Sequence, residues 1–548
     1  LKNIPEKPHP RIPMPGDLFG DARRNSLGVD LGDSASLRAL ARDMKDATRP
    51  WRAEPVIGGA VRSDAPGGPE KAVIDPAFTA RSPGLVVEAT ADDVAEATGI
   101  AVRAAFEWDS VAAGDRATCL EKAADMMEES RAELMALSVR EAGKTIPDAV
   151  AEVREAVDFC RYYAAQARKD FSRPERMPGP TGESNQVALH GRGVFACISP
   201  WNFPLAIFTG QVTAALAAGN AVVAKPAAQT PLIAARAVDI LHRAGVPGDV
   251  LHFLPGGGTN VGAPLVADPG ISGVSFTGSA ETAHTINRAL AERSGPIVPL
   301  IAETGGQNAM IVDSTALPEQ VVDDVVTSAF RSAGQRCSAL RVLFLQDDVS
   351  ERVIRMLTGA MAELTVGDPA LLATDVGPVI DGDAQEMLEN HARRMDREGT
   401  LLARTPLTDS SAEGTFFAPA AYLIERLDLL EGEVFGPILH VIRYAADRLD
   451  GVIEAVNGTG FGLTLGIHSR VGKTQRYIQQ RVKAGNAYVN RSMIGAVVGV
   501  QPFGGEGLSG TGPKAGGPRY LHRFAVERTL SVDTTAAGGN AALMSLKE

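Results

Sequence analysis

No apolar run in this chain approaches the roughly 20 uninterrupted residues that a membrane-spanning helix needs, so no membrane span is expected. Cysteine is scarce. The four, Cys119, Cys160, Cys197 and Cys337, lie far apart with no C-x-x-C and no Cys/His pairing. That speaks against a disulfide framework or a zinc site and fits a reducing, cytoplasmic setting. The nine histidines include no H-x-x-x-H or H-E-x-x-H, so no metal is expected. Basic residues are outnumbered, 54 Lys and Arg against 66 Asp and Glu, and a net charge of −12 disfavours nucleic acid or an anionic lipid surface as partner. The opening LKNIPEKPHPRIPMPGDLF has no apolar signal core and no initiator methionine. It reads as a proline-rich, extended linker within a longer polypeptide.

What is present is ordinary globular material, 45% hydrophobic and 22% charged with 57 glycines. At 548 residues it exceeds one hydrophobic core, so two or more lobes with a cleft between them are expected. Over residues 92–168 apolar side chains such as Leu120, Ala124, Met127, Leu134 and Leu137 recur at helical spacing, with charged residues on the other face. Prolines and glycines over residues 174–182 break this pattern. Strand-like VFACI, AVVAK, VLHFL and GVSFTGS then alternate with helical FTGQVTAALAAG and PLIAARAVDILHRAG, the mark of a doubly wound parallel sheet. Such sheets bind ligands beyond the carboxyl ends of their strands. A second α/β lobe is read over residues 306–504 from AMIVD, RVLFLQ, ILHVIRY, LTLGIHS and GNAYVN. The tail RYLHRFAVERTLSVDTTA is amphipathic and strand-like, too short to fold alone, and must pair elsewhere, which favours a homo-oligomer.

Cys337, in FRSAGQRCSALR, is the cysteine whose flanks suggest a nucleophile. Arg336 and Arg341 supply the basic setting that favours a thiolate, although a lone cysteine is more often an inert, buried hydrophobe. Glu303 ends the apolar strand of IVPLIAETGG and could act as general base, or simply sit solvated in a turn. Asn202, in ACISPWNFP, could satisfy its own turn. Alternatively, its amide joins the Cys337 N–H on a developing oxyanion, a donor worth roughly 3 kcal/mol to catalysis. Lys225 at the end of AVVAK, with Gly278 and Ser279 of FTGS at a helix start, suits a pyrophosphate and its ribose. The glycines Gly256, Gly257 and Gly258 form no G-x-G-x-x-G after a strand, so this dinucleotide signal is weak by itself.

The ordered set PWNFP, KPAAQTP, FTGS, ETGGQNAM, GQRCS, EVFGPI and QPFGGEGLSG resembles the aldehyde dehydrogenase superfamily over residues 75–515. PHPRIPMPGDLFG, IGAVVGVQPFGGEGLSGTGPKAGGP and VDTTAAGGNAALMSL resemble, within it, the L-glutamate-γ-semialdehyde (1-pyrroline-5-carboxylate) dehydrogenase part of bifunctional proline utilization A enzymes. The resemblance implies an α/β aldehyde dehydrogenase fold with a Rossmann-like NAD-binding lobe, a catalytic lobe and a β-flap for oligomerisation. It implies an arm over 1–60, a cofactor domain over 61–174 and 192–304, a catalytic domain over 305–505, and a flap with tail over 175–191 and 506–548. A proline dehydrogenase domain outside this chain is the implied covalent partner. Cys337, Glu303 and Asn202 become nucleophile, base and oxyanion donor. Ser199, Pro200, Trp201, Lys225, Gly258, Thr277, Gly278, Ser279, Glu433 and Phe435 become contacts for NAD. Ser338, Gly495, Ala496 and Phe503 become contacts for an amino-acid aldehyde. Two positions depart from the family pattern. Ala228 stands where a ribose-binding Glu is frequent, which leaves NADP open, and Ser492 stands where Asn is usual. Three rivals remain: another amino-acid-derived or aliphatic aldehyde as substrate, thiolysis by coenzyme A instead of hydrolysis, and a non-catalytic scaffold.

Overall fold

A computed structural model describes residues 11–62 and 70–533. The expected linker before residue 11 and the tail after Asp533 lie outside the described residues. Strands Val194–Ile198 and Ala221–Lys225 are buried at every position, as strands covered on both faces must be. They pair in parallel, and Ile271–Thr277 joins Val194–Ile198 on its other side. The sheet runs Leu300–Glu303, Ile271–Thr277, Val194–Ile198, Ala221–Lys225, Leu251–Phe253, then the antiparallel Val56–Ile57 and Ala60–Val61. The chain thus builds outward from Val194–Ile198 in one direction and then in the other. The switch falls between Val194–Ile198 and Ile271–Thr277, where a crevice opens beyond the carboxyl ends.

The second sheet runs Thr400–Arg404, Ala420–Leu423, Ile438–Tyr444, Val342–Gln346, Ala309–Val312, Thr464–His468, Asn486–Val489, parallel except at its first pair. Its functional candidates lie at the amino ends of its strands. Cys337 precedes Val342–Gln346, and Glu433 and Phe435 precede Ile438–Tyr444. The carboxyl ends of one sheet therefore serve the same site as the amino ends of the other.

Leu120, Ala124, Met127, Leu134 and Leu137 are all fully buried, as their spacing predicts. The other face of this helical layer is not uniformly solvated. Helix Ile146–Asp170 buries Asp148, Glu152, Asp158 and Arg161 as well as its apolar residues. Two carboxylates of this layer cap neighbouring helices, whose first N–H groups have no partner of their own. Glu152 accepts from the N–H of Leu205 and Ala206 at the start of Ala206–Ala217. Glu141 accepts from those of Leu232 and Ile233 at the start of Pro231–Arg243. Helical periodicity shows which residues are apolar; it does not show that another helix will end against a charged one.

The segment expected as an arm is largely structured. Asp33 caps helix Ser34–Ala47, and Leu40, Trp51, Ala53 and Ile57 enter the core of the first lobe. The tail strand Ala525–Asp533 pairs antiparallel with Glu183–Gly191, which pairs with Glu175–Met177. Its upstream part, expected to be strand-like, forms the short helix Tyr520–Arg523 instead, and Tyr520, Leu521 and Phe524 pack into the first lobe. Among the described residues no helix is long and apolar enough to cross a membrane.

Phe524 is fully buried with its ring centroid 4.8 Å from that of Phe195. Phe524→Ala should cost roughly 3–5 kcal/mol and lower the thermal unfolding midpoint of the first lobe. An unchanged midpoint would show that the tail helix is not part of that core.

Candidate active site

The turn before Cys337 is conformationally costly. Ser332, Ala333 and Gly334 follow one another in the left-handed region, at φ 55°, 53° and 64°. Glycine is required at the third position, since a Cβ on Gly334 would lie 2.3 Å from the Gly436 carbonyl oxygen. Three donors converge on the buried Asp148 carboxylate: Arg331 Nε at 2.6 Å, Ser332 Oγ at 2.7 Å and Arg336 Nη2 at 2.8 Å. Burial alone would raise this carboxyl; Arg336, Arg331 and Lys144 overrule it and hold it well below the usual carboxylate range. From the other side Arg341 donates to the carbonyls of Gly334, Gly436 and Arg336. Asn308 Nδ2 donates to the Cys337 carbonyl at 2.6 Å and to that of Ala339 at 2.9 Å.

So fixed, Cys337 lines a cavity that it shares with Glu303, Thr277, Ser338, Gly495, Ala496 and Phe503. These are seven of the residues singled out in the sequence, drawn from segments more than 200 residues apart. The basic flank does not do what its composition suggests. Arg336 and Arg341 are engaged with Asp148, Glu433 and backbone carbonyls. Burial, then the carboxylates of Glu433, Glu303 and Glu155, push the Cys337 thiol up to about 12 against the pull of Arg336.

Glu303 leaves the end of strand Leu300–Glu303 and is wrapped by the glycines of PFGGEGLSG. A Cβ on Gly504 would lie 2.8 Å from its Oε1, and one on Gly510 would lie 3.2 Å from its Oε2. Neither oxygen has a hydrogen-bond partner of good geometry among the described residues. Burial lifts this carboxyl well above its usual range, opposed only partly by the Gly505 N–H and Lys514. Asn202 is buried next to Phe203, which lines the cavity. Its Nδ2 donates to the Gln335 carbonyl at 3.2 Å, which ties it to the cysteine turn. Among the described residues nothing accepts from the N–H of Cys337, Gly495 or Ala496.

The remaining cofactor candidates lie at the strand ends of the crevice. Lys225 donates to the carbonyls of Pro226 and Gly256, at 2.7 and 2.8 Å, and burial pushes its ammonium down to about 8. Gly258 opens the turn Gly258–Gly262, and a Cβ there would meet nothing within 4 Å, so space lies in front of it. Ser279 caps helix Ala280–Ala291 through the Thr282 N–H, and the Ala280 and Glu281 N–H groups at that helix start have no protein partner among the described residues. Ser199 lies beside Lys225, donating its N–H to the Lys225 carbonyl. Trp201 meets Phe435 edge-on at 5.5 Å. Glu433 accepts from Arg341 at 3.2 Å and presses against Gly305, where a Cβ would lie 1.6 Å from Oε2. Backbone donors at a helix start, a strand-end Lys and a half-buried Glu near the nucleophile fit a dinucleotide.

Sequence reasoning missed the wall formed by helix Ile146–Asp170, from which Glu155, Phe159 and Tyr163 line the cavity. Their i, i+4, i+8 spacing on one face was readable, but an acid among aromatics on an otherwise apolar stripe suggests a helix surface rather than a pocket. Glu155 has no hydrogen-bond partner among the described residues, and burial followed by Glu152 pushes its carboxyl up to about 8.

The aldehyde dehydrogenase family matches residues 64–530. The bifunctional protein PutA of Salmonella typhimurium is 51% identical over 530 residues, covering 95% of this chain and 39% of its own length. The chain thus spans well under half of that relative. The 1-pyrroline-5-carboxylate dehydrogenase of Geobacillus sp. (strain WCH70) is 37% identical over 489 residues, 87% of this chain and 92% of its own. Among solved structures, a bifunctional proline utilization A protein superposes with a TM-score of 0.88 at 54% identity, covering 97% of this chain and 50% of that one. The 1-pyrroline-5-carboxylate dehydrogenase from Thermus with bound NAD superposes equally well, TM-score 0.88, at 34% identity over 93% of this chain and 99% of that one. On this evidence, and with its two α/β lobes meeting at a cysteine faced by a glutamate, the chain belongs to the aldehyde dehydrogenase family.

Proposed function

We propose that this protein oxidises L-glutamate γ-semialdehyde, which is in equilibrium with 1-pyrroline-5-carboxylate, to L-glutamate, using NAD and a thioester on Cys337. The observation that carries this reading is one cavity holding Cys337, Glu303, an unpartnered carboxylate at Glu155, and the free N–H groups of Gly495 and Ala496 beside the Ser338 hydroxyl. An aldehyde with an amino-acid head needs each of these. The N–H and hydroxyl groups donate to its α-carboxylate, Glu155 faces its ammonium, and Phe503 covers the methylene chain between. The two relatives with 1-pyrroline-5-carboxylate dehydrogenase in their names support the same substrate.

Cys337 releases its thiol proton to solvent, and Sγ adds to the aldehyde carbon, forming a C–S bond while the carbonyl electron pair moves onto oxygen. The Cys337 N–H and the second amide hydrogen of Asn202 stabilise that oxyanion. Lys225, Gly258, Gly278, Ser279, Glu433, Trp201 and Phe435 would hold NAD, which would supply the acceptor for a hydride. As the oxyanion re-forms its C=O bond, the aldehyde C–H bond breaks and its hydrogen leaves with the electron pair as that hydride, which leaves a Cys337 thioester. Glu303 takes a proton from water, the resulting hydroxide adds to the thioester carbonyl, and the C–S bond breaks to return the Cys337 thiolate and release a carboxylate. A base placed against the sulfur favours water over coenzyme A as the acyl acceptor. Ala228, exposed in the turn after Lys225, places no carboxylate near a 2′-phosphate, so NADP is a second acceptor in this proposal. The exposed Leu530 and Val532 of the flap strand support assembly into a homo-oligomer. A fused proline dehydrogenase partner and a cytoplasmic location complete the reading.

Cys337→Ala should abolish NADH formation from the semialdehyde while NAD binding, followed by calorimetry, stays within twofold. Turnover in that variant would overturn the assignment. Since burial and three carboxylates raise the Cys337 thiol, the reactive thiolate is a minor form at neutral pH and grows with pH. Iodoacetamide alkylation of Cys337, followed by peptide mass spectrometry without cofactor, should accelerate roughly tenfold per pH unit from 7 to 9; a rate level across that range would show a low thiol pKa. Glu155→Gln should raise KM for the semialdehyde about tenfold and leave that for propanal, which lacks an ammonium, nearly unchanged. Equal effects on both aldehydes would remove Glu155 from substrate recognition.

A further inference from the structure

We propose that Arg23, far upstream of every residue assigned above, is a positioning residue that holds the Gly495–Ala496 carboxylate anchor in place. The inference rests on the semialdehyde reading of the previous subsection. The Arg23 side chain is 5% exposed, although it belongs to a segment of irregular structure near the surface. Its guanidinium bridges two elements. Nη1 donates to Asp158 Oδ1 at 2.6 Å on helix Ile146–Asp170, and Nη2 donates to the Val498 carbonyl at 2.7 Å, two residues beyond Ala496. The fork is oriented on other sides too. The Phe19 ring lies 3.7 Å from Arg23 Cζ, and Asp158 is itself fixed by the Ser26 N–H at 3.1 Å and hydroxyl at 2.8 Å.

The anchor needs such a tie because its apex has none. A Cβ on Gly495, at φ +75°, would meet nothing within 4 Å, and the N–H groups of Gly495 and Ala496 bond to no protein group among the described residues. The position of the apex is therefore set by the ends of its loop. Upstream, Met493 N–H donates to Ser328 Oγ at 3.1 Å. Downstream, Gly499 N–H donates to the Gly516 carbonyl at 2.9 Å, and the Gly516 N–H in turn donates to Tyr163 Oη at 2.9 Å. Arg23 makes the charged link of this set, and it joins the loop to the helix that carries Glu155, Phe159 and Tyr163 into the cavity. A planar two-armed donor can hold both partners at once; an ammonium is a point charge and cannot span them in the same geometry. Two N–H groups bind a carboxylate well only if they converge on it, so loosening the loop weakens substrates that carry this group and spares those that lack it.

The test is steady-state kinetics on the full chain carrying Arg23→Lys, Arg23→Ala or Ser26→Ala, with semialdehyde and propanal as substrates and L-glutamate as product inhibitor. Arg23→Lys should raise both KM for the semialdehyde and the inhibition constant of glutamate about tenfold. KM for NAD and all constants for propanal should stay within twofold. Ser26→Ala, which removes a bond to Asp158 but not the link to Val498, should leave every constant within twofold. The proposal is overturned if Arg23→Lys leaves semialdehyde KM within twofold of wild type, or if it shifts propanal equally. Arg23→Ala should shift the same two constants at least as far; if its thermal midpoint shows that it fails to fold, the lysine variant, which keeps the buried charge, decides. Failure of the substrate reading would show in the wild type itself, as a semialdehyde no better than propanal.

Discussion

The site depends on one buried carboxylate. Left-handed backbone costs non-glycine residues roughly 1–2 kcal/mol each, and Ser332 and Ala333 adopt it consecutively in the turn that delivers Cys337. Hydrogen bonds to a charged group contribute roughly 1.5–3 kcal/mol apiece, and Asp148 accepts three from this turn and its flanks. The clamp outweighs the strain. Asp148 sits on helix Ile146–Asp170, the element that also presents Glu155, Phe159 and Tyr163 to the cavity and receives Arg23 at Asp158. Nucleophile, cavity wall and anchor loop are thus referred to one rigid helix.

Around that helix the two sheets meet head to tail. Carboxyl ends of the first sheet bring Lys225, Thr277 and Glu303; turns at the amino ends of the second bring Asn308, Cys337 and Glu433. Close approach between them is possible because glycines stand where side chains would collide, at Gly305 against Glu433 and at Gly504 and Gly510 against Glu303. The result is a crowded set of buried carboxylates around a thiol. Burial in that arrangement, together with the neighbouring carboxylates at Cys337, raises both the Cys337 thiol and the Glu303 carboxyl above their ordinary values.

Much of this was legible before any coordinates. Alternation of β-branched strands with helices announced two α/β lobes, and the strands lie where VFACI, AVVAK, AMIVD and RVLFLQ placed them. Seven of the residues picked out as chemical, cofactor or substrate contacts share one cavity. Other readings failed for identifiable reasons. Arg336 and Arg341 look like activators of a thiolate in a linear sequence, yet folding gives each of them nearer partners. RYLHRF looks like the start of a strand, but Tyr520, Leu521 and Phe524 gain more by packing as a helical turn in the first lobe. The charged residues of Ile146–Asp170 look solvated until neighbouring helix ends and the cysteine turn are set against them.

By itself the amino-acid order determined the local elements and the kinds of group available, because periodicity, turn glycines and strand composition act over a few residues. Tertiary structure alone decided which charges cancel, which donors stay free and which carboxylates are stripped of water. Those outcomes depend on distances between groups hundreds of residues apart, and electrostatic and desolvation energies are functions of that separation and burial, not of position along the chain.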